Sequence, residues 1–543
     1  MSEARGPILS VAGLSVVLPK GADRIFAVED ASFDLAEGEI LCIVGESGSG
    51  KSVLSSAIMG APPEGLRVTS GSILFRGDDV VRMSEAKLRK LRGNRIAMVF
   101  QEPVAALNPA IKVGEQVEEV FKLHSELAPK ARGERVLALL SDTHLPDLER
   151  IAASYPHQLS GGQCQRVVIA MALAMSPALL IADEPTSALD VTTQAQVLKL
   201  MRELRDEHRH GVLFITHDFG VVAEVADRIA VMQQGRIVEM GEARAILNAA
   251  QHPYTRQLIA AVPRAEPRPA FGGKPDARPS LEVAHLAKTY RAGSRRIAAL
   301  KDVSFALDKG RTLGIVGESG SGKSTLAKVA IRLSPADSGS VLVGGVDFAR
   351  LSGRALAAAR RKVQMIFQDP YGSLNPRHRV GAIIARAARL GGQPSGEARA
   401  SAVELLRLVG MRPEAFNRKP HEFSGGQRQR IGIARALAMN PEVVFADECV
   451  SALDVSVQKQ VLRLIADLQR KLDLTLVFIT HDLRVAAQVS DYIAVMKSGE
   501  IVEFGGAEDV LKRPSHPYTR ELIAAAPGHD WTPPVLEEQA LEV

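Results

Sequence analysis

The eight residues GESGSGKS at 45–52 recur unchanged at 317–324, and the recurrence spreads well beyond them. LSGGQCQRVVIAMALAM (159–175) is answered by FSGGQRQRIGIARALAM (423–439), and LLIADEPTSALDV (179–191) by VVFADECVSALDV (443–455). LFITHD (213–218) returns as VFITHD (477–482), and HPYTRQLIAA (252–261) as HPYTRELIAA (516–525). Over these four pairs the spacing is a constant 264 residues, against 272 for the glycine-rich stretch, so the first copy carries eight extra residues in between. A period this long is a whole domain, since solenoid units repeat within about 50 residues. The chain is therefore one domain made twice, and 543 residues exceed what a single core accommodates.

Between the copies lies PRAEPRPAFGGKPDARPS (263–280), with five prolines and no apolar periodicity, which reads as a linker. Extended, it reaches roughly 55 Å at ~3.1 Å per residue, enough to join two touching domains and too little to hide a third. The expected division is 1–262, linker 263–280, second domain 281–528 and a C-terminal tail 529–543. Apolar residues make up 46% and charged residues 24%, the balance of a globular protein. A net charge of +5 spread over 67 Lys and Arg and 62 Asp and Glu gives no support to nucleic-acid binding. Three cysteines far apart, Cys42, Cys164 and Cys449, make neither a disulfide framework nor a CxxC metal site. The most membrane-like stretch, VVIAMALAMSPALLIA (167–182), falls short of the ~18 apolar residues of a span and contains Pro177. It reads as a buried helix, a turn and a buried strand.

Apolar β-branched runs such as EILCIVG and TLGIVG lead straight into the glycine-rich loop, and a helix-forming segment follows. With LLIAD and VLFITHD as further short buried strands, each copy is α/β, a mostly parallel sheet flanked by helices. In that context GESGSGKS fits G-x-x-x-x-G-K-[ST], a loop whose backbone N–H groups cradle phosphate oxygens. Gly45, Gly48 and Gly50, with Gly317, Gly320 and Gly322, let the backbone curl. Lys51 and Lys323 meet the β- and γ-phosphates, while Ser52 and Ser324 offer a hydroxyl to Mg²⁺. The strands LLIAD and VVFAD end in adjacent carboxylates that strand alternation sends to opposite faces. Asp183 and Asp447 suit the Mg²⁺ shell, and Glu184 and Glu448 suit orienting or deprotonating a water. Ser160 and Ser424 stand at helix N-cap positions, followed by glycine pairs that include Gly162 and Gly426 and then by Gln163 and Gln427. Capping explains the serines but not the glycines, and bare N–H groups at a helix start make a second anion site in each copy.

Phosphate loop, Gln101 or Gln368 in FQEP/FQDP, SGGQ, ADE, SALD and ITHD follow one another in the same order in both halves. As a set they resemble the ABC-type ATPases over almost all of residues 8–525. The resemblance implies two tandem P-loop domains, each with a parallel-sheet core, a small antiparallel β-subdomain and a helical subdomain near 102–175 and 369–439. It further implies that the halves pair within the chain, each ATP lying between one half's phosphate loop and the other's SGGQ. One site then comprises Gly45–Ser52, Gln101, Asp183, Glu184 and His217 with Ser424, Gly426 and Gln427. The other comprises Gly317–Ser324, Gln368, Asp447, Glu448 and His481 with Ser160, Gly162 and Gln163. Gln101 and Gln368 are expected at the metal, and the two histidines at the γ-phosphate. Tyr290 matches the family's adenine-stacking aromatic. The first half has Leu18 there, with Phe26 nearby, so its grip on adenine is expected to differ. Cys449 and Val450 replace the first half's Pro185 and Thr186. Both sites are expected to hydrolyse ATP.

ALNP (106–109) and SLNP (373–376) after the glutamine loops, and HPYTR with LIAA closing each half, resemble the peptide and nickel branch of bacterial importers. This implies a motor peripheral to the cytoplasmic face of the inner membrane. It would drive two separate membrane permeases and, through them, an extracytoplasmic solute-binding protein. Many members of the branch carry an iron–sulfur cluster on cysteines after HPYT, and fused members often lack it; this chain has no cysteine there, so no cluster is expected. The competing reading is a soluble tandem ABC ATPase acting on ribosomes or another macromolecule. Such proteins have a long charged linker, whereas this one is short and proline-rich.

Overall fold

The computed structural model describes residues 6–187, 189–207, 209–267, 279–292, 295–451 and 453–534. Residues 268–278 of the linker and 535–543 of the tail lie outside them. The chain divides into two compact units, Met1–Val262 together with Pro527–Val543, and Pro263–Ala526.

Among the described residues the first unit has ten strands: β1 (Leu9–Val17), β2 (Phe26–Leu35), β3 (Ile40–Val44), β4 (Arg67–Phe75), β5 (Asp78–Asp79), β6 (Ile96–Val99), β7 (Leu179–Asp183), β8 (Gly211–Thr216), β9 (Arg228–Gln233) and β10 (Arg236–Glu242). They form an antiparallel sheet ordered β2-β1-β4-β5 and a six-stranded sheet ordered β10-β9-β3-β8-β7-β6. In the second sheet every neighbouring pair is parallel except β9 with β10. The sequence explains the difference. ILCIV, LLIAD and GVLFIT are buried along their whole length, as strands covered on both faces must be, whereas β2 alternates buried and exposed residues along most of its length. Leu9, Leu14, Ile43, Ile181, Leu213 and Ile215 meet in one core between the two sheets. The helices that bear on function here are α1 (Lys51–Ile58), α2 (Gly161–Leu173), α3 (Val191–Asp206), α4 (Phe219–Val225) and α5 (Pro253–Ala261). The stretch 167–182 is a buried helix, a turn and a buried strand, and among the described residues no helix is long and apolar enough to cross a membrane.

The second unit repeats this plan. β11 (Leu281–Ala292), β12 (Arg295–Leu307), β13 (Thr312–Val316), β14 (Ser338–Val343), β15 (Val346–Asp347), β16 (Val363–Ile366), β17 (Val443–Asp447), β18 (Thr475–Ile479), β19 (Tyr492–Lys497) and β20 (Glu500–Gly506) make sheets ordered β12-β11-β14-β15 and β16-β17-β18-β13-β19-β20. Its corresponding helices are α6 (Lys323–Ala330), α7 (Gly425–Leu437), α8 (Val455–Leu472) and α9 (Pro517–Ala524). Helices Val380–Leu390 and Ser395–Leu408 pack with α7 through Ile384, Leu406 and Ile431, giving the helical subdomain expected near 369–439.

Candidate active sites

Because β3, β6, β7 and β8 are parallel neighbours, their carboxyl ends share one edge of the sheet, where open α/β folds bind ligands. Val44 leads there into the glycine-rich loop, Val99 into Phe100 and Gln101, Asp183 into Glu184, and Thr216 into His217. In the second unit the same edge collects the loop after Val316, Gln368, Asp447, Glu448 and His481.

Each phosphate loop is tied together by its own lysine. Lys51 Nζ donates to the carbonyls of Gly45 and Glu46 at 2.7 and 2.9 Å, and Lys323 Nζ to those of Gly317 and Glu318 at 2.7 and 2.8 Å. Gly50 and Gly322 are the N-caps of α1 and α6 at φ 109°, where a side chain is strained. A Cβ there would also stand 2.3 Å from the Ala27 carbonyl oxygen or 2.5 Å from that of Ala299. The loop thus delivers its N–H groups and the start of a helix to one point, a ready anion site.

Beside it stands a three-residue cluster, built twice. Gln101 Nε2 donates to Glu184 Oε2 at 2.8 Å, and His217 Nδ1 lies 3.2 Å from Glu184 Oε1. Gln368 Nε2 donates to Glu448 Oε2 at 2.7 Å, and His481 Nδ1 lies 3.7 Å from Glu448 Oε1. The strands end at Asp183 and Asp447, and what turns the next carboxylate aside is a left-handed backbone: Glu184 has φ 47° and Glu448 φ 45°. Strand alternation, the reason anticipated from sequence, is not what separates the two acids. A non-glycine residue held in this region costs of order 1–3 kcal/mol, and such strain gathers at functional sites. Each glutamate N–H is tied across the sheet, to the carbonyl of Ile215 or Ile479 at 2.9 Å.

Burial pushes Glu184 and Glu448 upward, but the histidine's hydrogen bond and charge, the loop lysine and the glutamine together outweigh it, so both titrate below the usual carboxylate range. Asp183 and Asp447 go the other way. Burial raises both, against the hydroxyls of Ser52 and Ser324, and the neighbouring glutamate adds to the rise. Burial lowers His481, but Glu448 more than compensates and holds it above its ordinary value.

These residues fit a hard divalent cation. Asp183 Oδ1 is buried without a partner, and Ser324 Oγ donates to Asp447 Oδ1 at 3.1 Å. One hydroxyl and one carboxylate per loop are what Mg²⁺ takes from protein when phosphate oxygens complete its shell.

The serine–glycine segments are helix caps in full. Ser160 Oγ accepts from Gln163 N at 3.3 Å while Gln163 Oε1 accepts from Ser160 N at 3.0 Å, and Ser424 and Gln427 repeat the exchange at 3.4 and 3.1 Å. The second glycine has a packing reason that the sequence concealed. A Cβ on Gly162 would stand 2.6 Å from Thr193 Cγ2 on α3, and one on Gly426 2.2 Å from Val457 Cγ1 on α8. Tyr290 is 39% exposed, with Lys288 Nζ 5.4 Å from its ring centroid. Leu18, its counterpart, is half-buried and donates its N–H to the Ile25 carbonyl.

Three features went unread in the sequence. Tyr254 and Tyr518 of the HPYT segments reach the phosphate loops, accepting from the N–H groups of Glu46 and Glu318 at 3.2 and 3.3 Å. Asp218 and Asp482, which end the ITHD strings, cap the helices that follow. Arg435 on α7 donates to the Ser373 carbonyl and lies 5.6 Å from the centroid of Phe367, beside Gln368. The first half has Met171 at that place, and its Phe100 is 52% exposed.

A doubled P-loop sheet carrying glutamine, glutamate and histidine at its carboxyl edge defines a nucleotide-hydrolysing ATPase. Residues 28–187 and 300–451 match the ABC transporter family, and the chain belongs to it. Residues 238–291 and 502–540 match the C-terminal region of oligopeptide/dipeptide transporters. The glutathione import ATP-binding protein GsiA of Escherichia coli (strain K12) is 46% identical over 559 residues, covering 96% of this chain and 90% of that protein. The GsiA of Salmonella typhimurium is likewise 46% identical over 560 residues, with the same coverage. A solved dimer of the ATP-binding cassette MJ0796 with ADP and Pi is 31% identical, with a TM-score of 0.39 and 42% of this chain and 98% of that chain covered.

Proposed function

We propose that this ATPase drives import of small peptides or peptide-like solutes, glutathione among them, through two separate permeases fed by a solute-binding protein, and works peripherally at the cytoplasmic face of the inner membrane. The doubling of a complete site carries the reading: each half owns a phosphate loop, a metal-suited serine and aspartate, and a glutamate held ionised by its glutamine and histidine. The match to oligopeptide/dipeptide transporters and the identity with GsiA support the solute class over a role on ribosomes or another macromolecule. We further assign each ATP to one half's phosphate loop and the other half's signature serine and glycines, the pairing that the family resemblance implies.

The chemistry follows from the site. Lys51 or Lys323 exchanges its loop carbonyls for phosphate oxygens, and the loop N–H groups hold the β-phosphate. Ser52 with Asp183, and Ser324 with Asp447, would hold Mg²⁺, which supplies charge neutralisation on the phosphates. Glu184 or Glu448 orients the attacking water and takes its proton on a carboxylate oxygen; Gln101 or Gln368 fixes that carboxylate from one side and His217 or His481 from the other.

The test is reconstitution in vesicles with the two permeases and the binding protein. ATP-dependent uptake of labelled glutathione or a dipeptide is expected, together with at least a ~100-fold loss of hydrolysis in the Glu184→Gln/Glu448→Gln double variant. Each single variant should lose turnover too; full turnover in one would remove that half from the reaction. Co-purification with ribosomes and no permease would favour the alternative.

A further inference from the structure

The HPYT segments take no part in the chemistry above, yet their histidine and proline start the helix that carries a tyrosine hydroxyl to the phosphate loop. His252 Nδ1 accepts from the N–H of Tyr254 at 3.3 Å and so caps α5, with Pro253 at its first position. Glu239 on β10 holds the turn before it, accepting from the N–H groups of Gln251 at 2.7 Å and His252 at 3.1 Å. Thr255 is fully buried. The second unit repeats this: His516 Nδ1 accepts from Tyr518 N at 3.1 Å, and Glu503 accepts from the N–H groups of Ser515 and His516 at 2.7 and 3.2 Å. Both tyrosine rings are buried, at 7% and 2% exposure, so neither hydroxyl has room to swing away.

What the hydroxyl meets is the second residue of the phosphate loop. Tyr254 Oη accepts from Glu46 N, while the carbonyl of that same Glu46 accepts from Lys51 Nζ. Tyr518, Glu318 and Lys323 form the same chain of bonds. The peptide group before this residue is thus held at both ends, its carbonyl at Gly45 or Gly317 by the loop lysine and its N–H by a helix from the far end of the domain. The carbonyl after it accepts from the lysine and from the N–H of Ser49 or Ser321. When the lysine turns to phosphate, the tyrosine still holds the N–H side of this residue, and the N–H of Ser49 or Ser321 its carbonyl.

We propose that Tyr254 and Tyr518 are positioning residues for nucleotide, each fixing the mouth of its phosphate loop so that the loop is set for ATP before ATP arrives. The role belongs to the hydroxyl oxygen, not to the ring. It builds on the ATPase activity and is indifferent to which solute is carried.

The variants Tyr254→Phe, Tyr518→Phe and the pair together remove only that oxygen and keep the buried rings. Steady-state hydrolysis by the full chain is expected to show KM for ATP raised about 5-fold in the double variant, the worth of one neutral hydrogen bond, with kcat within about 2-fold of the parent. Calorimetric binding of ADP should weaken by a similar factor, and the melting temperature should stay close to the parent's. A purely structural tyrosine would lower the melting temperature and leave KM unmoved. That result, or a double variant with unchanged KM and unchanged ADP affinity, overturns the proposal. Hydrolysis absent from the parent itself would instead count against the active-site reading, while the ADP arm would still decide the tyrosines.

Discussion

His481 and Glu448 face each other across 3.7 Å, and their titrations are shifted in opposite directions. The sign of each shift fixes a pH window. A histidine raised above its ordinary 6.5 adds stability that is fully present below 6.5 and disappears as pH climbs through the raised value. A glutamate lowered below 4.5 adds stability present above 4.5 and lost as pH falls through the lowered value. The difference in melting temperature between the parent and His481→Gln should therefore be greatest between about 4.5 and 6.5 and should shrink towards pH 9. A difference that is flat over this range would mean that the two groups do not pair as charges. The string ADE at each strand end drew attention to the glutamates from sequence. Their left-handed backbone did not show there, because it is imposed by ties to Ile215 and Ile479, which are remote in sequence.

At the scale of elements, the signature helices α2 and α7 begin with two glycines that do different work. A methyl on Gly425 would meet only Leu453 Cδ2, at an ordinary 3.7 Å, and one on Gly161 nothing within 4 Å, whereas the methyls of Gly162 and Gly426 would collide with the following helix. Gly426→Ala should destabilise the second unit by about 1–3 kcal/mol, since Val457 is a stiff β-branched neighbour. Gly425→Ala should be neutral or mildly stabilising, as expected for alanine replacing glycine at a helix position. Chemical unfolding of the two variants side by side checks this, and equal costs would refute the packing account. The helices themselves were legible from period and capping pattern. The contact that requires the second glycine was not, because it depends on where α3 and α8 return in space.

At the scale of the whole molecule, the described residues after the second unit, Pro527 to Pro534, belong to the first unit. Gly528 donates its N–H to Glu224 Oε1 on α4 at 3.1 Å and sits so close that a Cβ would stand 2.7 Å from Gly220 Cα. Burial raises the Glu224 carboxyl, and the Gly528 N–H opposes that rise. Trp531, the only tryptophan in the chain, folds back on this turn through its N–H to the Gly528 carbonyl at 3.0 Å and keeps a buried indole nitrogen. Glu224→Ala should thus shift tryptophan emission to the red, towards that of a solvated indole. An unshifted spectrum would mean that the tail does not depend on this carboxylate.

What the sequence determined by itself was everything that repeats or runs locally. The duplication, the phosphate loops, the acidic strand ends, the capped signature helices and the α/β class each rest on neighbours within a few residues or on self-comparison. Tertiary structure decided what depends on strand order. Because β3, β6, β7 and β8 lie parallel and adjacent, residues as far apart as Gln101 and His217 close on one glutamate. The same arrangement carries a tyrosine 208 residues downstream onto the phosphate loop. No local pattern encodes those meetings, since the burial that drives them is shared among strands rather than owned by any one of them.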